Sequence, residues 1–131
     1  MILVDTSVWI DYLRDAPRPA VDTLDDLLQV GEDVRITEPV IMELLVGGRH
    51  PREQSRLEAL TNGLPLVPLE PAADFRAAAG LYRASAANGH PIRSMIDCLI
   101  AAVAIRSGAQ LLHSDRDFTY LAEVAPLDLL V

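Results

Sequence analysis

The sequence predicts an α/β fold, a three-layer α/β/α sandwich with a central, mainly parallel sheet. Short apolar runs rich in Val, Ile and Leu alternate along the chain with longer segments of helical periodicity, and no repeat or flexible linker interrupts them. Strands separated by helices favour a parallel sheet, because a parallel pair needs a crossover connection that is usually a helix. The length of 131 residues suits one domain, which we expect to span residues 1–131.

In the first half of the chain, apolar runs and helix-boundary residues indicate five elements. Thr6 or Ser7 can cap the first helix, and Gly31 ends the second. Pro39 lies in the first turn of the third helix, where proline is favoured. The expected elements are, in order, a strand at residues 2–4, helices at residues 7–14 and 19–30, a strand at residues 34–36 and a helix at residues 38–46.

The second half of the chain continues the alternation. Gly89 and Gly108 end two long helices, the first of them rich in alanine. A proline-flanked apolar run between two helices predicts a further strand. The expected elements are a helix at residues 51–60, a strand at 64–69, helices at 71–88 and 93–107, a strand at 110–113, a helix at 117–123 and a strand at 127–130.

Composition narrows the class of protein. The formal net charge is −8, from 19 acidic and 11 basic residues, and every basic residue is arginine. This acidity argues against a passive nucleic-acid-binding module and suits a protein that collects divalent cations or pairs with a basic partner. We expect no membrane span and no secretory signal, and the single cysteine, Cys98, fits a cytoplasmic protein.

Four acids lie in unusual surroundings. Asp5 follows the first apolar strand and Asp115 follows the strand at 110–113, so both come just after a strand. Glu43 and Asp97 lie inside the apolar helical runs 40–46 and 95–103. Ligands of parallel sheets bind beyond the carboxyl ends of the strands, where these four side chains can converge.

A divalent cation resolves the electrostatic problem that these acids pose. An unpaired buried carboxylate costs several kcal/mol or becomes protonated. The chain has no lysine, and no arginine lies inside either apolar run. Oxygen ligands without a His or Cys cluster favour Mg²⁺ or Mn²⁺ over zinc. Mg²⁺ keeps several waters in such a site, and one of them can be the nucleophile.

Each acid also has a simpler interpretation. Asp5 and Asp115 could each cap the helix that follows. Glu43 and Asp97 could lie on helix faces that are less buried than the sequence suggests. The combined pattern of four acids is more specific than any one of them.

Four segments resemble, in order, the motifs of the PIN-domain family. They are VDTSVWI at residues 4–10, MELLVG at 42–47, IDCLIAA at 96–102 and LHSDRDF at 112–118. The single-domain length further resembles VapC toxins of bacterial VapBC toxin–antitoxin modules. The resemblance implies a metal-dependent endoribonuclease that cleaves RNA and inhibits growth. It also implies a homodimer and neutralisation by a VapB-type antitoxin.

The resemblance also implies roles for individual residues. The metal-binding and catalytic acids would be Asp5, Glu43, Asp97 and Asp115. Thr6 and Asp117 match accessory positions, although helix capping explains each of them equally well. His113 stands where many relatives have Thr, and a structural role at the strand end is the favoured interpretation.

Arginines near the acidic motifs are candidates for RNA binding, because RNA must approach an acidic pocket on an acidic protein. The candidates are Arg14, Arg49, Arg93 and Arg116. A solvated surface position is an equally good interpretation of each. Two alternatives to a toxin stay open, namely a PIN-domain nuclease that processes RNA without an antitoxin and a non-catalytic PIN-like binding module.

Overall fold

The computed structural model describes residues 1–130, in which four parallel strands form one sheet. The strands are β1 (Ile2–Val4), β2 (Val34–Arg35), β3 (Gln110–Leu112) and β4 (Asp128–Leu130). Their order is β2-β1-β3-β4, so the chain moves from β1 to one side and later returns to the other side of β1. Such a reversal creates a crevice at the carboxyl ends of the two central strands. The predicted α/β fold with a parallel sheet is confirmed.

Seven helices connect and cover the strands within the described residues. They are α1 (Thr6–Leu13), α2 (Pro19–Gln29), α3 (Glu38–Val46), α4 (Pro51–Asn62), α5 (Pro71–Ala87), α6 (Met95–Ser107) and α7 (Arg116–Val124). Each of these helices is too short or too polar to cross a membrane. Consecutive helices α1 to α4 contact one another in part, while α5, α6 and α7 pack together.

The core explains the layered architecture. All three residues of β1 are buried, and successive strand side chains point to opposite faces, so helices cover both faces of the sheet. Helix α6 is enclosed as well, with every residue from Cys98 to Ala104 buried. Its apolar sequence on all sides is therefore the signature of a central helix. Gly108 ends α6 with a positive φ of 69°, which glycine adopts without steric cost.

The structure corrects one predicted strand and several element ends. Residues 64–69 form no strand; Leu66 makes a single parallel bridge to Ile36. Pro65 and Pro68 have no backbone N–H to donate to a ladder, which limits pairing there. Helix α1 begins at Thr6 and is capped by Asp5 rather than by Thr6 or Ser7. Helix α6 begins at Met95, two residues later than predicted.

Candidate metal centre

The carboxyl ends of β1 and β3 bring the first two acids to one edge of the sheet. Asp5 follows β1, and its N–H donates to the carbonyl oxygen of Leu112 at the end of β3 over 2.9 Å. The Asp5 carboxylate accepts from the Ser7 N–H at 3.2 Å and from the Ser7 hydroxyl at 2.6 Å. Asp115 caps α7 by accepting from the Asp117 N–H at 3.0 Å. Capping and convergence at the sheet edge therefore both describe these acids.

The third acid, Asp97, reaches the same edge from the first turn of α6. Since α6 runs back towards the start of β3, its N-terminal turn lies at the carboxyl edge of the sheet. Carboxylate oxygens of Asp97, Asp115 and Asp117 lie within 4.8 Å of one another. We call these three residues the acid triad. The N-terminal position in a helix also favours a carboxylate, because the helix dipole is positive there.

Two predicted ligands lie outside the acid triad. Among residues 1–130, neither Asp5 nor Glu43 belongs to that close group, although the negative charges of both act on Asp97. Glu43 is held by Thr6, whose hydroxyl donates to Glu43 Oε1 over 2.6 Å. Asp117, predicted only as an accessory acid, belongs to the triad instead. Its side chain is 4% exposed, a burial that helix capping alone does not require.

The electrostatics of Asp97 are the most unusual in the site. Burial first, and then the charges of Asp5, Asp115, Glu43 and Asp117, raise its pKa to about 7. Burial also raises the pKa of Asp5, against the opposing effect of the hydrogen bonds from Ser7. Closely spaced carboxylates disfavour one another's ionisation, and a bound cation reverses that penalty.

One cation of the chain itself reaches the acid triad. The Arg93 guanidinium donates to both carboxylate oxygens of Asp115, at 3.1 and 3.2 Å, and to Asp117 Oδ2 at 3.2 Å. The Arg93 side chain is 69% exposed, so the pair lies at the mouth of the site. The sequence predicts that Arg93 binds RNA, but in this arrangement it faces two of the acids.

The other predicted arginines differ in position. Arg14 lines a cavity of about 360 Å³ that Glu43 also lines, together with Arg52 and Arg56 of α4. Arg49 and Arg116 are exposed, and neither forms an ion pair in the part of the chain that the structure describes. Sequence reasoning missed Arg52 and Arg56, because they look like ordinary solvated residues of a polar helix. Only the packing of α3 against α4 brings them near Glu43.

The donor set fits a hard divalent cation. Its atoms are carboxylate oxygens, the ligands that Mg²⁺ and Mn²⁺ prefer. His113 contributes no ring nitrogen to the triad, since Nδ1 lies 3.0 Å from the Asp115 carbonyl oxygen and the ring packs against Phe118. Burial and the charge of Asp97 raise the pKa of the Cys98 thiol to about 11, so this sulfur stays protonated and is a poor ligand.

The fold and this acidic pocket define a class of α/β protein with clustered carboxylates at the switch point of a parallel sheet. The PIN-domain family model matches residues 2–124, and the chain belongs to that family. It is 44% identical over 128 residues to ribonuclease VapC11 of Mycobacterium tuberculosis, a match that covers 97% of this chain and 96% of the relative.

Solved structures agree with the fold. VapBC2 from Rickettsia felis, bound to a DNA fragment from its promoter, superposes with a TM-score of 0.78 at 21% identity, over 99% of this chain and 98% of that one. A toxin–antitoxin complex from Klebsiella pneumoniae superposes with a TM-score of 0.72 at 17% identity, over 98% and 100% of the two chains. At such low sequence identities, these structures support only the assignment of the fold.

Proposed function

We propose that this protein is a divalent-metal-dependent endoribonuclease and the toxin of a type II VapBC toxin–antitoxin module. The observation that carries the metal-dependent chemistry is the convergence of Asp97, Asp115 and Asp117 beside Asp5 and Glu43. Ribonuclease activity is supported by near full-length similarity to VapC11, which is named a ribonuclease. The toxin role is supported by the same relative and by the fold shared with VapBC assemblies.

In this proposal the acid triad holds Mg²⁺, for which Mn²⁺ can substitute. Asp5 and Glu43, the other two acids expected from the sequence, add negative charge beside the triad. When bound, the cation would lower the pKa of a water molecule and offset the negative charge that develops on the phosphate. The alternative of a non-catalytic PIN-like module is disfavoured because every predicted acid is present.

The protein's own residues orient these carboxylates. Ser7 fixes Asp5 with two hydrogen bonds, and Thr6 fixes one oxygen of Glu43. Such outer contacts restrict the orientation of a carboxylate and so reduce the entropy lost on metal binding. Asp97 remains the acid with the greatest need of a cation, since burial and then the charges of four other carboxylates raise its pKa.

Metal dependence of RNA cleavage tests the catalytic part of the proposal. The purified protein should cleave single-stranded RNA with Mg²⁺ or Mn²⁺ present, lose that activity in EDTA and recover it when Mg²⁺ is restored. The variant Asp22→Asn, which removes one exposed acid of α2 outside the four motifs, should show the same metal dependence as the wild type. Cleavage that persists unchanged in EDTA would contradict the proposal.

The antitoxin part requires a separate test. We propose a basic VapB-type partner, because the toxin carries a net charge of −8 and opposite charge favours association. We also propose a cytoplasmic homodimer, as the family resemblance implies. Induced expression should arrest growth, and we expect a short neighbouring reading frame whose co-expression relieves the arrest. Arrest without any such relieving partner would favour a PIN-domain nuclease that works without an antitoxin.

A further inference from the structure

A cavity beside Glu43 lies outside the acid triad. Helices α1, α3 and α4 form its walls, and its volume of about 360 Å³ is within the usual range for ligand pockets. Both apolar and charged side chains line it. The apolar lining residues are Ile10, Leu13, Leu44 and Leu57.

Three arginines outnumber the two acids that line this cavity, Glu43 and Glu53, so its lining carries a net positive charge. Arg14, Arg52 and Arg56 line it, and all three are exposed. Within residues 1–130, none of them forms an ion pair or a side-chain hydrogen bond, whereas Arg18, Arg35, Arg93 and Arg106 are all paired with acids. Uncompensated guanidinium groups gathered at one cavity are typical of an anion site.

The cavity is continuous with the proposed cleavage site. Glu43 lines it, and the same carboxylate accepts the hydrogen bond from Thr6 next to Asp5. Arg93 does not line this cavity and is already paired with Asp115 and Asp117. A polyanion that places one phosphate at the acids therefore meets free positive charge on the Glu43 side.

We propose that this cavity binds the RNA segment next to the scissile phosphate, with Arg14, Arg52 and Arg56 on backbone phosphates and a base against the apolar lining residues. This inference rests on the proposed ribonuclease function and gives the substrate strand a direction, from the acid triad past Glu43 towards α4. An arginine can pair with phosphate through two parallel hydrogen bonds, and an apolar surface accepts the face of a base.

A charge-matched pair of double variants tests the site. Arg52→Gln/Arg56→Gln removes two charges from the cavity, and Arg76→Gln/Arg83→Gln removes two from exposed arginines of α5 outside the cavity and without ion pairs. Glutamine keeps nearly the same helix propensity as arginine, so both variants should retain the fold, which circular dichroism checks. Arg14→Gln, at the C-cap of α1, tests the third arginine of the cavity as a separate single variant.

The assay measures binding of a short, mixed-sequence, fluorescein-labelled single-stranded oligoribonucleotide by anisotropy in EDTA, so that cleavage does not interfere. The cavity variant should bind about tenfold more weakly at low salt. Its slope of log affinity against log salt should fall by about 0.7 for each phosphate that no longer has an arginine partner. The α5 variant should lose less than half as much in either quantity.

Equal losses in the two double variants would overturn the inference, because they would show a general charge effect. Unchanged RNA binding together with weaker binding of the antitoxin would also overturn it, by assigning the cavity to a peptide. Failure of the proposed function is distinguishable, since it would leave an oligoribonucleotide that binds through the cavity but is never cleaved in Mg²⁺.

Discussion

Asp74 and Asp97 lie on the packed helices α5 and α6 and have opposite electrostatic surroundings. Asp74 is 1% exposed, and the Arg106 guanidinium donates to both of its carboxylate oxygens over 2.8 Å. Burial alone would raise its pKa, but the hydrogen bonds from Arg106 and the Glu70 N–H lower it. Asp97 has four carboxylates around it, and its pKa is raised to about 7.

The two acids differ in whether the chain itself supplies a balancing positive charge. The Arg106 guanidinium of α6 forms two hydrogen bonds with the Asp74 carboxylate of α5, and this ion pair holds the two helices together. Where the chain instead gathers more acids, the charge must be balanced by something from solution. Burial alone does not identify the acid that needs a cation from solution, because Asp74 is the more buried of the two.

The largest expected effect comes from removing the charge of Asp97. Asp97→Asn should reduce RNA cleavage by about 10²–10³-fold, because it takes a ligand from the site where phosphate charge is stabilised. The folded structure should persist, since the change removes a repulsive charge. Cleavage rates of purified proteins in Mg²⁺ measure this, with circular dichroism as the check on folding. A folded variant with the wild-type cleavage rate would contradict the proposed role of Asp97 in metal binding.

The reciprocal change at Asp74 should act on stability. Asp74→Asn removes the bidentate partner of the partly buried Arg106 and leaves it, as an acidic partner, only the exposed Glu70 at 3.5 Å, so we expect the free energy of unfolding to fall by about 3 kcal/mol. Cleavage per folded molecule should stay near the wild-type value at temperatures well below the unfolding midpoint. Urea denaturation gives the first quantity. A loss below about 1 kcal/mol would mean that the Asp74–Arg106 pair contributes no more than a surface pair.

The unusual surroundings of Asp97 could be predicted from the sequence, but the pairing of Asp74 with Arg106 could not. Apolar runs around Glu43 and Asp97 identified acids in the wrong surroundings, and the sheet topology confirmed the expected fold. The same reasoning passed over Asp74, since an acid in the first turn of an alanine-rich helix looks solvated. Its partner Arg106 lies 32 residues further along, and only the packing of α5 on α6 joins them.

The site was predictable in part for the same reason. Local sequence marks Asp5 and Asp115 as strand-end residues, but it cannot rank Asp117 above a simple capping acid. Nor can it show that Arg93 reaches two of the acids across more than 20 residues. Such long-range pairs depend on how helices pack, which periodicity alone does not determine.

The pH dependence of stability should have opposite signs at the two acids. In EDTA, the raised pKa of Asp97 means that the native state holds its proton more tightly than the unfolded state between about pH 4 and pH 7. Stability contributed by this group therefore falls as pH rises through that range, by roughly 1–2 kcal/mol after screening by solvent. Asp74, with a lowered pKa, stabilises the protein above the unfolded-state value and loses that contribution as pH falls towards its folded-state value.

Thermal unfolding in EDTA across this pH range separates the two groups. Asp97→Asn should flatten the loss of stability between pH 4 and pH 7, and the exposed-site control Asp22→Asn should follow the wild type. Equal slopes for the wild type and Asp97→Asn would show that Asp97 ionises without penalty.

The smallest expected effect concerns Arg93. Its guanidinium shares Asp115 and Asp117 with any bound cation, so Arg93→Gln should tighten Mg²⁺ binding by about three- to fivefold, a modest change because the side chain is largely exposed. Arg35→Gln, which breaks an exposed pair with Asp33, should leave metal affinity unchanged. Calorimetric titration measures both. Weaker Mg²⁺ binding by Arg93→Gln would mean that this arginine supports the ligands instead of competing for them.

Anomalous diffraction from a crystal of the protein grown with Mn²⁺ tests the central claim most directly, because it locates the cation without reference to activity. We expect a manganese peak bonded to carboxylate oxygens of Asp97, Asp115 and Asp117, and no such peak in Asp97→Asn. A fully ordered triad without manganese, or a peak of equal height in the variant, would contradict the account.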